Sequence, residues 1–414
     1  MESESKLTTR KKVLICILLS YLSFSIISEF FYREPLFKYS LSIEETIQKD
    51  TPKMIQKYLR FITKFGSKKT VIPIIAIVSL FIPINKTFTL IAVVFTSVYT
   101  DNIMKIIYSS PRPYWIDNKL NKYCDGSFGN PSGHAFLSSS FYLSLWHIIT
   151  HFDIFSSNIV FIIFKYILLI VHLFLINSIL FSRIYLGVHG LNQILYGVSL
   201  GIASYILYFY IFSIHSMKPS KFMKMINDIK IKLYSFFSLC IIFAILIFFF
   251  VSYQRTEEYS KLLHTICPKL KPYQYLNNDG LYDTLGLFGF IGVYSGILFT
   301  KLKSDSNYPE QEDYIINWQL GDIKRKSIRY ITFFIFCFPY YLGNFISDNA
   351  HLALLFSIKI SLCYFLTGFF MFGPGLYYGF MLSRYVLGVE PIEEETVDSI
   401  QPIYLEMNKQ KSLV

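Results

Sequence analysis

The feature that most constrains this chain is a series of apolar runs, each long enough to cross a lipid bilayer. The first, VLICILLSYLSFSIISEFFY, occupies residues 13–32. About 20 apolar residues in an α-helix cross the hydrocarbon core of a bilayer. The sequence therefore predicts an all-α, polytopic membrane helical bundle. Further runs of this kind lie at about 70–85, 87–108, 134–152, 157–181, 190–214, 233–252, 283–301, 329–347 and 352–373.

Composition supports a membrane protein and argues against nucleic-acid binding. Of the 414 residues, 53% are hydrophobic and 16% are charged, whereas about a quarter of the residues in soluble domains are charged. The formal net charge of +11 is explained by lysines and arginines in loops, as membrane topology requires. We therefore expect membrane lipids as partners, and no nucleic acid. No sequence feature indicates an oligomeric state.

Three polar islands interrupt the apolar pattern, and each lies at the end of a predicted span. They are KIIYSSPRPYW from Lys105, PSGH at residues 131–134, and SRIYLGVHGLNQ from Ser182. The span that contains Lys105 delivers it to one side of the membrane, the next span leaves that side, and the third returns to it. All three islands therefore share one face. The candidate site residues on that face are Lys105, Arg112, Ser132, Gly133, His134, Arg183 and His189.

These side chains are the ones that a phosphate site needs. Arginine grips phosphoryl oxygens with two parallel N–H bonds, and lysine adds a point charge. Free N–H groups at a helix start, here Ser132 and Gly133, attract an anion. One histidine is a candidate nucleophile toward phosphorus, and the other can protonate the leaving alkoxide. Arginine and lysine can neutralise the transferring group without a metal, and metal-ligand motifs are absent from the sequence, so we expect no metal and no cofactor.

Taken singly, each of these features has a simpler interpretation. A lone arginine or lysine at a span end is usually an interface anchor, a lone histidine at a helix start is usually a cap, and Pro-Ser-Gly is an ordinary turn signal. The occurrence of all three islands, in order and on one face, favours a site. An anion transporter or a catalytically silent phosphate-binding membrane protein is the alternative outside enzymes. Against it, the charges lie at span ends and no inverted repeat is visible.

The three islands resemble the signature blocks of the type 2 phosphatidic-acid phosphatase superfamily, which are Lys-x6-Arg-Pro, Pro-Ser-Gly-His and Ser-Arg-x5-His-x3-Asp. The first two blocks match in full, and in the third Gln193 stands where the family has Asp. The resemblance covers about residues 70–214 and implies a six-helix core that hydrolyses phosphate monoesters without a metal. It implies that His189 forms a phosphohistidine and that His134 protonates the leaving group. The residues that it implies for holding the phosphate are Lys105, Arg112, Arg183, Ser132 and Gly133.

Gln193 points to one branch of this superfamily. It lies four residues after His189, on the same helix face, and its amide oxygen can accept the N–H bond that the family's Asp accepts, although the negative charge is lost. The glucose-6-phosphatase group is similar to this chain in His-x3-Gln, in RPYW, in SRIYL and in a cysteine seven residues before PSGH, here Cys124. That resemblance implies an active site facing the lumen of the endoplasmic reticulum and glucose 6-phosphate, or a similar small phosphate ester, as substrate. A lipid phosphate or isoprenoid pyrophosphate phosphatase is the alternative.

The sequence predicts four parts along the chain. Residues 1–69 form a leader, the first span and an interfacial amphipathic segment, and residues 70–214 form the phosphatase core. Residues 215–388 add further transmembrane helices beyond this core. Residues 389–414 form a polar tail.

The distribution of basic loops predicts that the active site faces the lumen. The loops at 215–232 and 302–328 are rich in basic residues and lie on the face opposite the islands, which the positive-inside rule assigns to the cytosol. Asn85 begins a sequon on that cytosolic face, so we expect it to carry no glycan. Cys124 and Cys267 lie on the lumenal face, where a disulfide between them is possible.

Overall fold

The described part of the chain is built from helices and the turns that connect them. The structure is a computed structural model, and it describes residues 2–79, 81–117, 119–120, 124, 127–151, 159–267, 286–307, 323–336 and 353–387. These residues contain no strand, so the predicted all-α class is confirmed. The α-helices are α1 (Glu2–Asp50), α2 (Lys53–Ile62), α3 (Lys68–Val78), α4 (Ile84–Tyr108), α5 (Pro113–Ile116), α6 (Gly133–Thr150), α7 (Ile159–Tyr185), α8 (Leu191–Ile206), α9 (Pro219–Asp228), α10 (Lys230–Ile266), α11 (Leu287–Asn307), α12 (Ile323–Ile335), α13 (Ala353–Phe370) and α14 (Leu376–Leu387).

Among the described residues, six helical segments are long and apolar enough to cross a bilayer, which makes this chain an integral membrane protein. Two further predicted spans, 134–152 and 283–301, fall on α6 and α11, which are helical but less apolar than these six. Most of the predicted span at 329–347 and the polar tail at 389–414 lie outside the described residues. The six segments are Thr9–Asp50, Ile84–Ile116, Ile159–Tyr185, Leu191–Phe212, Lys230–Ile247 and Ser361–Leu387.

The prediction of a helix spanning residues 70–85 is wrong. α3 ends at Val78 and has 11 residues, which corresponds to about 16 Å at the rise of an α-helix. That length is roughly half of the hydrocarbon core of a bilayer. A proline disfavours the helical conformation in the residue before it, and Pro83 stands as the N-cap of α4, so a helix from α3 could not continue unbroken into α4. The apolar run is therefore divided between a short helix and a turn.

α1 differs from the prediction of a span at 13–32 followed by a separate interfacial segment. A single helix runs from Glu2 to Asp50 and contains Pro35. Its second half lies against the start of α8 and the loop before it, where Ser40 and Glu44 are completely buried. The amphipathic pattern expected in this region belongs to α2, which buries Leu59 and Ile62.

α4, α6 and α8 pack together at the centre of the molecule. α6 contacts both neighbours, and its buried residues include Ser139, Ser140 and Ser144. Ser140 Oγ of α6 lies 2.9 Å from Ser97 Oγ of α4. Small side chains allow helices to approach closely inside a membrane. This close packing brings the starts of α6 and α8, and with them the second and third islands, side by side.

A disulfide links two distant parts of the chain on the face of the islands. Cys124 and Cys267 are bonded, with their Cα atoms 5.9 Å apart, so the pairing that the sequence allowed is present. Cys124 lies between the first two islands, and Cys267 directly follows α10. The end of α10 is therefore held beside the loop that precedes PSGH.

Asn85, the first residue of the sequon, is buried at the start of α4. Its Nδ2 donates to the carbonyl oxygens of Ile214 at 3.2 Å, His215 at 2.9 Å and Met217 at 2.8 Å. The lack of a glycan stays a prediction, but burial of this amide is a second reason for it. The same hydrogen bonds tie the start of α4 to the turn that follows α8.

Candidate active site

The three polar islands meet around one cavity of ≈ 550 Å³. Lys105 lies in the last turn of α4, Arg183 lies in the last turn of α7, and His134 lies in the first turn of α6. Arg112 lies in the short connection that precedes α5, and His189 lies in the one that precedes α8. The predicted site residues that line the cavity are Lys105, Arg112, Gly133, His134, Arg183 and His189.

The imidazole of His189 is held in one tautomer by its neighbours. Its Nδ1 lies 2.8 Å from the carbonyl oxygen of Gly129 and 3.2 Å from Gln193 Oε1. Both oxygens only accept hydrogen bonds, so Nδ1 carries the proton. Nε2 lies 3.3 Å from Arg112 Nη1, and a guanidinium only donates. Nε2 therefore presents a lone pair on the side of the arginine.

The surroundings of His189 also favour its neutral form. The ring is 1% exposed, and this burial lowers its pKa well below the usual value of 6.5. The positive charges of Arg112, Arg183 and Lys105 lower the pKa further, in that order. An unprotonated imidazole nitrogen in a cationic pocket is the form that can attack phosphorus.

Gln193 lies behind the imidazole rather than in the cavity wall, and its amide is fixed at both ends. Its Nε2 donates to the carbonyl oxygen of Pro111 at 2.9 Å, and its Oε1 accepts the N–H of Gly190 at 3.3 Å. These contacts direct the amide oxygen toward His189. The closer acceptor is the carbonyl of Gly129, which the sequence analysis missed because a backbone oxygen leaves no signal in the side-chain pattern.

Arg112 is buried in a frame of backbone carbonyls. Its Nε donates to the carbonyl oxygen of Ser127 at 2.6 Å, its Nη2 donates to Ser127 Oγ at 2.8 Å, and its Nη1 donates to the carbonyl oxygen of Val188 at 3.1 Å. Ser127 was not predicted as part of the site. The frame links the first island to the loop before PSGH and to the residue preceding His189, so three segments fix one guanidinium.

Arg183 is anchored by a segment that the sequence analysis assigned to the interfacial region. Its Nη1 donates to Thr63 Oγ1 at 2.9 Å, and Thr63 begins the 3₁₀ turn Thr63–Gly66. The same segment contributes Lys64, Ser67, Lys68 and Lys69 to the cavity wall. The site therefore includes residues that precede the predicted core boundary at residue 70.

Lys105 forms an ion pair inside the cavity wall. Its Nζ donates to Asp101 Oδ2 at 2.8 Å, one helical turn earlier in α4. A Cβ atom at Gly133 would lie 2.5 Å from the same oxygen, so the glycine of PSGH leaves room for this carboxylate. Asp101 was missed, although an acidic residue within an apolar run and four residues before Lys105 is a visible signal.

Ser132 differs from the other predicted phosphate ligands. Its backbone N–H donates to the carbonyl oxygen of Gln193 at 3.0 Å, and its side chain is completely buried outside the cavity lining. The prediction that its N–H is free for an anion is wrong, because α8 lies close enough to use it. Gly133 and His134 are the residues of this helix start that line the cavity.

Zinc sites in proteins combine three or four histidine, cysteine or carboxylate ligands. Among the described residues no such group of three is placed to hold a metal ion. Asp101 is the carboxylate in the cavity lining, and it is paired with Lys105.

These elements define a class of helical membrane protein in which two histidines, two arginines and four lysines surround one cavity at the ends of the helices. Residues 86–217 match the family model of the PAP2 superfamily. This segment includes all three islands and most of the cavity wall.

Comparison with known proteins adds one solved structure. The chain is similar to the first transmembrane PAP2 type phosphatidylglycerolphosphate phosphatase from Bacillus subtilis, whose crystal structure is known, with 20% sequence identity and a TM-score of 0.40. The similarity covers 46% of this chain and 93% of that chain. Comparison with curated protein sequences gave no match.

Proposed function

We propose that this protein is an integral membrane phosphatase that hydrolyses phosphate monoesters through a phosphohistidine at His189. Members of the PAP2 superfamily are phosphatases, which supports the general activity. The observation that carries the proposal is the state of His189: its Nε2 lone pair lies beside Arg112 in a cavity that Lys105 and Arg183 also line. This arrangement suits attack on a bound dianion and needs no metal in the reaction.

In the first step, His189 Nε2 attacks phosphorus, an N–P bond forms, and the P–O bond to the leaving group breaks. The leaving alkoxide takes a proton from His134, which lines the same cavity. The proton on Nδ1 stays in place, and its bonds to Gly129 and Gln193 stabilise the positive charge that develops on the ring. The phosphoryl oxygens are neutralised by Lys105, Arg112 and Arg183.

In the second step, a water molecule attacks the phosphohistidine. His134, now unprotonated, takes a proton from this water, the new P–O bond forms, and the N–P bond breaks. The electron pair of the N–P bond returns to His189 Nε2, so both histidines regain their starting states. Inorganic phosphate and the alcohol are the two products.

A small polar phosphate ester such as glucose 6-phosphate is the proposed substrate. Besides the phosphate-binding cations, the cavity wall carries hydroxyl, amide and ammonium groups that suit a sugar. These include Ser67, Lys69 and Asn102. We place this site on the lumenal side of the endoplasmic reticulum membrane, because the basic loops favour that orientation and because a disulfide persists in an oxidising compartment.

A lipid phosphate is the second candidate substrate, and one observation favours it. An apolar cavity of ≈ 130 Å³ lies between α3, α4, α11 and α13, and it shares the lining residues Lys68 and Val98 with the polar cavity. A hydrocarbon chain in the apolar cavity would leave its phosphate close to the cations. The two candidate substrates differ in the position of the leaving group, which is the polar cavity for a sugar and the apolar cavity for a lipid.

The test is release of inorganic phosphate by the purified protein in detergent. The substrates are glucose 6-phosphate, phosphatidic acid in mixed micelles and an isoprenyl diphosphate. We expect the sugar phosphate to give the highest kcat/KM, vanadate to inhibit and chelators to have no effect. A preference for either lipid would replace the substrate assignment. Thermal stabilisation by phosphate without turnover of any ester would overturn the enzymatic proposal and favour a silent phosphate-binding protein.

A further inference from the structure

One face of α1 reaches the loops that flank both histidines, although α1 lies outside the segment matched by the PAP2 family model. Glu29 Oε1 accepts the Nδ2–H of Asn130 at 2.8 Å, and Ser40 Oγ accepts the backbone N–H of Leu191 at 2.7 Å. Gln48 Nε2 donates to the carbonyl oxygen of Tyr185 at 2.9 Å. Positions 29 and 40 are eleven residues apart and positions 40 and 48 are eight apart, which places them on one stripe of a helix.

Ser40 makes the contact nearest to the proposed nucleophile. α8 begins at Leu191, and its N-cap is Gly190, which has no side chain that could accept an N–H bond. The first N–H groups of a helix have no partner within the helix. Ser40 Oγ fills this place from another helix, while its own hydroxyl donates to the carbonyl oxygen of Leu36 at 2.6 Å. Both hydrogen-bonding functions of the hydroxyl are therefore used.

The geometry gives this cap a direct route to the imidazole. Leu191 lies two residues after His189 and two residues before Gln193, whose Oε1 is 3.2 Å from His189 Nδ1. A Cβ atom at Gly190 would lie 3.0 Å from the ring of Phe37 and 3.3 Å from Ser40 Oγ. The loop that carries His189 therefore lies directly against α1, and Ser40 is 0% exposed.

We propose that Ser40 is a positioning residue for His189, because it supplies from α1 the side-chain acceptor that the N-cap Gly190 of α8 lacks. Its role in catalysis rests on the proposed function, whereas its hold on the start of α8 does not. Without the hydroxyl, the N–H of Leu191 loses its acceptor and the first turn of α8 frays. The imidazole then leaves its position between Gly129 and Arg112. The cations of the cavity are not touched by Ser40, so substrate binding is preserved.

The test compares Ser40→Ala with Ser40→Thr and with a matched control, Ser42→Ala. Ser42 lies two residues further along α1, is exposed, and also donates to a backbone carbonyl, that of Tyr39 at 2.8 Å. We expect Ser40→Ala to lower kcat by about 10-fold or more, since small displacements of a catalytic group cost one to two orders of magnitude. KM should stay within about 2-fold, Ser40→Thr should recover most of kcat, and the control should match the wild type.

A second measurement keeps this proposal separate from the proposed function. Amide hydrogen exchange of the peptide covering residues 189–193 reports on the first turn of α8 whether or not the protein turns over an ester. We expect Ser40→Ala to speed exchange in this peptide by about 10-fold or more, as loss of one ordered turn requires, and Ser42→Ala to leave it unchanged. Unchanged exchange in Ser40→Ala would overturn the proposal. Faster exchange without any phosphatase activity in the wild type would support the cap and refute only the phosphatase assignment.

Two kinetic outcomes would also overturn the positioning role. One is a Ser40→Ala enzyme with wild-type kcat. The other is a loss of kcat that equals the loss of folded, phosphate-binding molecules, because that would be a general folding defect. Failure of Ser40→Thr to recover activity, with folding intact, would likewise contradict a role for the hydroxyl.

Discussion

At the scale of the residue, His189 is oriented by two neutral oxygen acceptors instead of a carboxylate. The carbonyl of Gly129 is 2.8 Å from Nδ1, and the amide oxygen of Gln193 is 3.2 Å away. The sequence predicted the second acceptor from the spacing of His189 and Gln193. It could not predict the first, because the backbone of Gly129 reaches the ring only after the loop before PSGH has folded onto α8.

We predict that the site requires an amide, and not a carboxylate, at position 193. In Gln193→Glu, a carboxylate replaces the Nε2–H that donates to the carbonyl of Pro111, so two oxygens face each other in a buried place. An unsatisfied buried acceptor of this kind costs about 1–3 kcal/mol, and we expect kcat to fall by about 10-fold because the imidazole is displaced. The control is Gln56→Glu, since Gln56 Nε2 also donates to a backbone carbonyl, that of Thr51, but outside the site. A rate equal to or above that of the wild type would mean that the site tolerates a charge behind His189.

The lowered pKa of His189 predicts the pH dependence of kcat/KM. A group whose pKa is depressed in the folded protein stays neutral as the pH falls through 6.5, so the nucleophile remains active there. We expect the acid limb assigned to His189 to lie below 6.5. The measurement is a pH–rate profile with a substrate whose own phosphate ionisation has been determined by titration. A half-maximal point at or above 6.5 that belongs to the enzyme would contradict the burial and charge argument.

At the scale of the element, the crossing pattern of the spans correctly predicted which helix ends meet. Lys105, Arg183 and His134 come from three helices that alternate in direction, and all three line one cavity. The pattern missed the 3₁₀ turn Thr63–Gly66, since a short polar segment between helices has no period that indicates where it packs. It also placed a span at 70–85, where α3 ends at Val78 and α4 begins only after Pro83.

The 3₁₀ turn Thr63–Gly66 can be tested through Thr63. Thr63→Val keeps the shape of the side chain and removes the hydroxyl that accepts from Arg183 Nη1 at 2.9 Å. The guanidinium then loses a fixed position, so we expect KM to rise by about 5- to 10-fold, as loss of one hydrogen bond to a charged group implies, with kcat changed less than 2-fold. Thr46→Val is the control, because Thr46 Oγ1 bonds a backbone carbonyl on an exposed face of α1. No change in KM would mean that the turn does not position Arg183.

At the scale of the whole molecule, the Cys124–Cys267 disulfide ties the C-terminal helices to the loop that carries Ser127, and Ser127 holds Arg112. The two cysteines are 143 residues apart in sequence. Sequence could place them on one face, but it could not pair them, since pairing depends on where α10 ends in space. The sequence likewise did not predict that α1 continues as one helix to Asp50.

The disulfide predicts a measurable loss of stability on removal. Cys267→Ser should destabilise the protein by about 2–4 kcal/mol, which is typical for a disulfide that closes a long loop. Thermal unfolding in detergent measures this, with and without reductant. Cys16→Ser is the control, because Cys16 is a free, exposed cysteine. The wild type should unfold at a lower temperature in reductant and the Cys267→Ser variant should not respond; equal melting temperatures for all samples would contradict the link.

The central claim is that His189 becomes phosphorylated during turnover, and trapping of the acid-labile phosphoenzyme tests it most directly. Purified protein is mixed with radiolabelled phosphate ester, quenched in alkali, where phosphohistidine survives, and digested to locate the label. We predict label on the peptide that contains His189, none in His189→Ala, and normal labelling in His151→Ala, which removes an exposed histidine at the far end of α6. Turnover by His189→Ala, or label on any other residue, would contradict the account.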